Sequence, residues 1–163
     1  DRYPISDGFG DVRPPPRAPF PDEEPLAAPD SPTIMEVAGL LGITGGAGHV
    51  ALLGALAGHA EGLAGMIQPA EVVGVSSALR GHAEIGGVSR LSAGRRLPFR
   101  DQSLRGVALS GEERLLDPTE AARVVSRSGR VVVWGGVEGW DVALEGAELT
   151  VLVSDATGVV AAR

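Results

Sequence analysis

The sequence predicts an α/β fold: a doubly wound, mostly parallel sheet that ends in an antiparallel hairpin and is preceded by an extended Pro-rich arm. Three observations carry that expectation. From Ile34 onward, short apolar runs rich in valine and leucine alternate with helix-like segments, the pattern of crossover connections between parallel strands. The stretch GITGGAGHVALLGALAG at residues 42–58 joins an apolar run to a glycine cluster and an Ala/Leu-rich segment, as a nucleotide-binding turn does. Nine of the twelve prolines fall in residues 1–32, so the composition breaks there. The chain therefore divides into an arm, residues 1–32, and an α/β domain, residues 33–163.

In the arm, runs such as RPPPRAPFPDEEP fix φ and remove N–H donors, which disfavours a helix or a central strand. Seven acids against three arginines in residues 1–30 suit a solvated leader. Yet two of the three phenylalanines and the only tyrosine lie here. The sharper reading is an extended segment that lies on a partner, with Tyr3, Ile5, Phe9, Phe20 and Leu26 as its contact residues.

In the domain, Glu36–Ile43 reads as a buried first strand ended by glycines, and Ala47–Gly65 as a helix with a small-residue face. Glu71–Val75 is expected as the second strand, Ser77–Ala83 as a short helix, Val88–Ala93 as the third strand and Leu104–Leu109 as the fourth. Asp117 is placed to cap a helix, with Pro118 at its first position and Glu120 three residues after the cap. Gly129 should end that helix, before a fifth strand at Arg130–Trp134. Leu149–Ser154 and Val159–Ala162 flank a turn and read as the terminal hairpin.

The bulk properties narrow the function. With 163 residues, 44% hydrophobic and 4% aromatic, the chain supports one domain whose core is built from Val, Leu, Ala and Ile. A net charge of −7 argues against a general nucleic-acid binder, which needs a basic field. The absence of cysteine removes disulfides, zinc–thiolate sites and cysteine nucleophiles. No run of 18 apolar residues predicts a membrane span, and no signal peptide is evident, so a cytoplasmic location is expected. His49, His59 and His82 lack ligand spacing, and no metal site is expected. Trp134 and Trp140 flank the turn GGVEG, where packing is the default role. The arginines at 90, 95, 96, 100 and 105 form a local basic stretch, read either as a solvated loop or as a docking patch for an acidic partner or anionic headgroups.

Three segments resemble the class I SAM-dependent methyltransferases, in order and over Glu36–Arg163. ITGGAGHVALLGALA is similar to the family's first glycine motif and following helix, LPFRDQSLRGVALSG at 97–111 to its Leu-Pro-Phe turn and fourth strand, and LLDPTEAARVVSRSGRVVV at 115–133 to its next helix and fifth strand. The resemblance implies a Rossmann-like, methyltransferase-like sheet and an acid-x-Gly-x-Gly-x-Gly turn. Laid on Gly42–Gly48, that turn keeps Gly46 and Gly48 but has Gly42 at the acid position and Thr44 at the first glycine.

The resemblance also implies a ribose-binding acid after the second strand, where Ser76 stands, and an adenine-side acid after the third, where Ala93 stands. A carboxylate suits the ribose because it accepts two hydrogen bonds at once. Losing such bonds costs about 1–3 kcal/mol each, and three losses weaken binding by several powers of ten. The fourth strand begins Leu104-Arg105 instead of aromatic-Asp, and Glu112 and Glu113 read as solvated acids at a helix start.

With its acids missing, the resemblance implies a non-catalytic subunit with no cofactor. It would dock onto a larger protein complex through the arm. The alternative is a small divergent methyltransferase whose cofactor is SAM. The arm, DRYPISDGFGDVRPPPRAPFP, also resembles the segment after the membrane helix in the H subunits of bacterial photosynthetic reaction centres. That resemblance implies a membrane-extrinsic position on the partner complex, at the cytoplasmic face.

Overall fold

The computed structural model describes residues 3–20, 26, 31–43, 45–111 and 116–163. It departs from the sequence reading at Glu36–Ile43, expected as the first strand, where Ile34–Leu41 forms a helix, α1. The Thr33 hydroxyl accepts the Glu36 N–H at 3.2 Å, and the Glu36 carboxylate accepts the Thr33 N–H at 2.7 Å. This is a capping box. Ile34, Val37, Ala38 and Leu41 share one helical face, and Gly42 ends the helix in the left-handed region at φ 66°. The run is apolar enough for a buried strand, but its spacing and its cap select the helix.

The expected helix over Ala47–Gly65 divides into three pieces. Its first part is a strand, followed by a 3₁₀ turn at Gly54–His59 and helix α2 (Ala60–Met66). In chain order the strands are β1 (Ile5–Ser6), β2 (Phe9–Asp11), β3 (His49–Leu53), β4 (Glu71–Val75) and β5 (Val88–Ser92). Then come β6 (Leu104–Ser110), β7 (Val125–Trp134), β8 (Thr150–Ser154) and β9 (Gly158–Ala162). A 3₁₀ turn at Ser77–Gly81 follows β4, and helices α3 (Pro118–Val124) and α4 (Trp140–Gly146) precede β7 and β8.

The described strands form one sheet in the order β1-β2-β5-β4-β3-β6-β7-β9-β8. Pairing is parallel from β2 through β7 and antiparallel at both ends. The β8–β9 hairpin stands where the sequence places it. Helix α3 is shorter than expected, because Val124-Val125 is β-branched and the chain turns there into a ten-residue strand. Gly129 lies inside that strand. A Cβ there would sit 2.8 Å from the Arg105 carbonyl oxygen, so the residue serves close backbone approach at the bulge between Leu104 and Gly106.

Two apolar layers hold the sheet. Val37, Leu41, Leu52, Leu56 and Leu63 pack on one face, beneath α1 and α2. Leu53, Leu109, Val133, Trp140 and Leu144 pack on the other, beneath α3 and α4. The arm joins the same sheet: β2 runs parallel to β5 in the register Phe9↔Arg90, Gly10↔Leu91, Asp11↔Ser92, with β1 outside it.

The capping box makes a direct prediction. Thr33→Ala should lower stability by about 1 kcal/mol, read as a shift of the urea midpoint at constant slope. An unchanged midpoint would mean that packing alone holds α1.

Candidate cofactor cleft

Strand order reverses between β3 and β6, so this sheet has its topological switch point there. In such sheets a ligand crevice lies outside the carboxyl ends of the strands. The rim of that crevice is made by the residues that follow β3, β4, β5 and β6: Gly54, Ser76, Ala93 and Gly111.

The glycine cluster read from the sequence as the cofactor turn is not on this rim. It precedes β3 and lies at the amino edge of the sheet, where the Gly48 carbonyl accepts the Glu71 N–H at the start of β4. Its glycines make room for an arginine. Arg105 Nη1 donates to the Gly46 carbonyl at 2.6 Å, and a Cβ on Gly48 would lie 2.5 Å from Arg105 Cδ. Gly46 and Gly48 have φ of 86° and 132°, which disfavours any side chain. Gly42 is likewise no acid position: it ends α1, and a Cβ there would lie 2.7 Å from the Arg130 guanidinium, which donates to the Leu40 carbonyl. Thr44 lies outside the described residues.

Moving the first inner strand to β3 moves the motif with it. Acid-x-Gly-x-Gly-x-Gly now falls on Leu52–Gly58, with Leu52 at the acid, Gly54 and Gly58 at the outer glycines and Leu56 at the middle one. Gly54 keeps a turn conformation at φ 59°. Leu52 and Leu56 are fully buried and belong to the core under α1 and α2, so neither offers a polar group to a ligand. The sequence reading missed these four residues. The signal that finds them is the Thr33–Glu36 cap, which makes residues 34–41 a helix and displaces the first strand downstream.

The other two positions stand where the sequence put them. Ser76 follows β4, is buried, and accepts the Ala78 N–H at 3.3 Å, capping the 3₁₀ turn after it. Ala93 follows β5 and packs against the core on the α3 side. The Leu97-Pro98-Phe99 turn is tied to α3. Glu120 accepts the Leu97 N–H at 2.7 Å, and Arg123 donates to the carbonyls of Leu97 and Phe99 and to both Glu120 and Asp101. Burial would raise the Glu120 carboxyl, but the Arg123 guanidinium and the Leu97 N–H outweigh it and hold the group below its usual range. The same carboxylates hold Arg123 fully charged.

A cavity of about 360 Å³ opens on this rim between the starts of α3 and α4, with Arg95, Leu116, Asp117, Glu138 and Trp140 in its wall. Trp140 is buried, and its indole N–H points at the Gly111 carbonyl at 3.4 Å. Asp117 accepts the Thr119 N–H and hydroxyl, which keep its carboxyl ionised and commit it to capping α3. Glu112 and Glu113 lie outside the described residues.

The histidines are dispersed. His49 pairs with Glu71 at 3.0 Å on the amino edge. His59 is half-buried, and burial pushes its imidazole toward the neutral form. His82 lies in the loop before β5. Among the described residues no three His, Cys, Asp or Glu groups gather to hold a metal ion.

The arm residues expected to meet a partner separate into two sets. Tyr3 and Ile5 are exposed, at 47% and 74%. Phe9 is 3% exposed and meets Phe20 edge-on at 5.9 Å, and Phe20 and Leu26 pack around Phe9, Ala57 and Leu79. Those three pack the arm onto its own domain and leave Tyr3 and Ile5 as the exposed apolar residues among the five.

No family model and no curated protein matches the chain in sequence. Solved structures match its fold. A protein of Methanococcus maripaludis described as a candidate SAM-dependent methyltransferase superposes with TM-score 0.61 at 14% identity, over 80% of this chain and 83% of that one. A SAM-dependent methyltransferase of Aquifex aeolicus gives 0.57 at 18%, over 78% and 88%. A chain from the complex between the Haloferax volcanii Trm112 methyltransferase activator and a candidate methyltransferase gives 0.58 at 17%, over 76% and 70%. The chain has a class I methyltransferase-like, Rossmann-like fold.

Two predictions follow from the site. Gly48→Ala should cost about 1–3 kcal/mol through backbone strain and the displaced Arg105. An undiminished melting temperature would refute the cradle. Because the Glu120 carboxyl is held below its ordinary value of 4.5, its contribution is full above that pH and is lost as pH falls through the depressed folded value. Glu120→Gln should therefore cost about 1–3 kcal/mol at pH 7 and flatten the acid limb of a stability–pH curve. An acid limb identical to the parent's would place the lability elsewhere.

Proposed function

We propose that this chain is a non-catalytic methyltransferase-like domain that serves as a structural or assembly subunit. One observation carries the reading. The positions where the family resemblance puts cofactor-recognising carboxylates hold Leu52, Ser76 and Ala93, and each is committed to core packing or to capping a turn. A hydrogen bond withheld at each position costs about 1–3 kcal/mol of affinity, so millimolar binding or none is expected.

A protein partner suits this reading. One similar chain is from a complex with an activator protein, and Tyr3 and Ile5 remain exposed for contact here. A membrane-extrinsic place on a reaction-centre-like complex would have to use those two residues, because Phe9 and Phe20 are spent on the chain's own sheet.

The second reading, a divergent SAM-dependent enzyme, is favoured by the methyltransferase neighbours and by the open cavity on the same rim. Calorimetric titration of SAM and of its demethylated product into the full chain separates the two. We expect no saturable heat up to millimolar ligand. A micromolar dissociation constant would overturn the non-catalytic reading and start a search for the methyl acceptor.

A further inference from the structure

The arm's attachments form a unit of their own. Only three ladder pairs join β2 to β5. Phe9, Phe20 and Leu26 pack with Ala57 and Leu79 in a small cluster, and none of the arm's described residues enters either main core. Beyond the strand, the Val12 N–H donates to the Ser92 carbonyl at 2.9 Å, while Asp11 holds Arg13 through two bonds of 2.9 Å. The Arg13 guanidinium carbon lies 3.8 Å from the centre of the Phe20 ring, and that of Arg80 of the domain 4.9 Å from it. The cross-connection is Arg90, buried in β5, whose guanidinium donates to the carbonyls of Leu79 and His82 in the domain and of Asp7 in the arm. Among the described residues that buried cation meets three carbonyls and no carboxylate, so what it takes from the arm is main chain.

We infer that the N-terminal arm is an internal strand ligand: it fills, in cis, a strand-accepting seat along β5 and opens from it as a unit while the domain stays folded. The seat consists of the outer edge of Arg90–Ser92, the apolar hollow over Ala57 and Leu79, and the Arg90 guanidinium. Its natural occupant is an extended peptide taken up in parallel, as the arm is. The arm itself gives the chemistry required. An aromatic side chain enters the hollow at the Phe9 place, a small residue follows, and a main-chain carbonyl reaches Arg90 from two residues before the aromatic. When the arm lifts, β5 becomes a free edge, the part of a sheet most prone to capture another strand. The seat is defined by its contacts with the arm alone, so the inference does not depend on whether SAM binds.

The test uses the full chain with Phe9→Ala and Phe20→Ala, changes that leave every seat residue in place. Amide exchange followed by NMR should be roughly tenfold or more faster than in the parent at Val12, whose N–H bonds the Ser92 carbonyl, with protection at Val107–Leu109 unchanged. A labelled synthetic peptide of residues 3–20 should then bind the variant saturably, shifting the Arg90–Ser92 resonances, and bind the parent at least about tenfold more weakly because its seat is filled. Unchanged exchange in the arm, or loss of protection in β6 together with the arm, would overturn the inference. So would a peptide that ignores the opened variant or binds both proteins equally.

Discussion

The burial of β3 on both faces is the constraint on which the rest depends. Val50, Ala51, Leu52 and Leu53 are 0–3% exposed, and they alternate between the two cores. Fully burying a leucine or valine is worth about 1.5–3 kcal/mol, whereas an exposed pair such as His49–Glu71 is worth about 0–1 kcal/mol. Packing therefore decides where the central strand lies. Once β3 is central, β4 and β5 stack on one side and β6 and β7 on the other, and the switch point follows.

Arginine supplies the second organising theme. Arg90, Arg105, Arg123, Arg130 and Arg163 each donate to main-chain carbonyls of distant segments. A planar guanidinium with five donors can join several loop carbonyls at once, which a lysine cannot do with the same geometry. Two of these long side chains need space beside the backbone, and glycine gives it at Gly42 and at Gly48. The glycine cluster that looks like a ligand turn is thus one half of a contact whose other half lies 57 residues along the chain at Arg105.

The candidate cleft is shaped by the same economy of polar groups. Its rim keeps the turn at Gly54 and a cavity beside Trp140, while Leu52 belongs to the core and Ser76 caps the turn after β4. Asp117 and Glu120 stabilise α3 and its neighbours. Carboxylates engaged in that way are poor candidates for ligand recognition, since rebinding them would forfeit the contacts they already make.

The sequence by itself determined the parts whose signals are local. Strands β4, β5 and β6 and the closing hairpin are short runs bounded by turn residues, rich in valine in β4 and the hairpin, and the Asp117-Pro118 start of α3 is a cap with its own chemistry. Ser76 and Ala93 were legible because each directly follows such a strand. Residues 36–43 were not, because a fully apolar run suits a buried strand and a buried helix alike, and the Thr33–Glu36 cap is what separates them. Only the tertiary structure decided that the glycine cluster faces Arg105, that Gly129 sits inside a strand, and that the arm returns to pair Phe9 with Arg90. Each of these joins segments distant in the chain, and a contact between distant residues leaves no periodicity in either one.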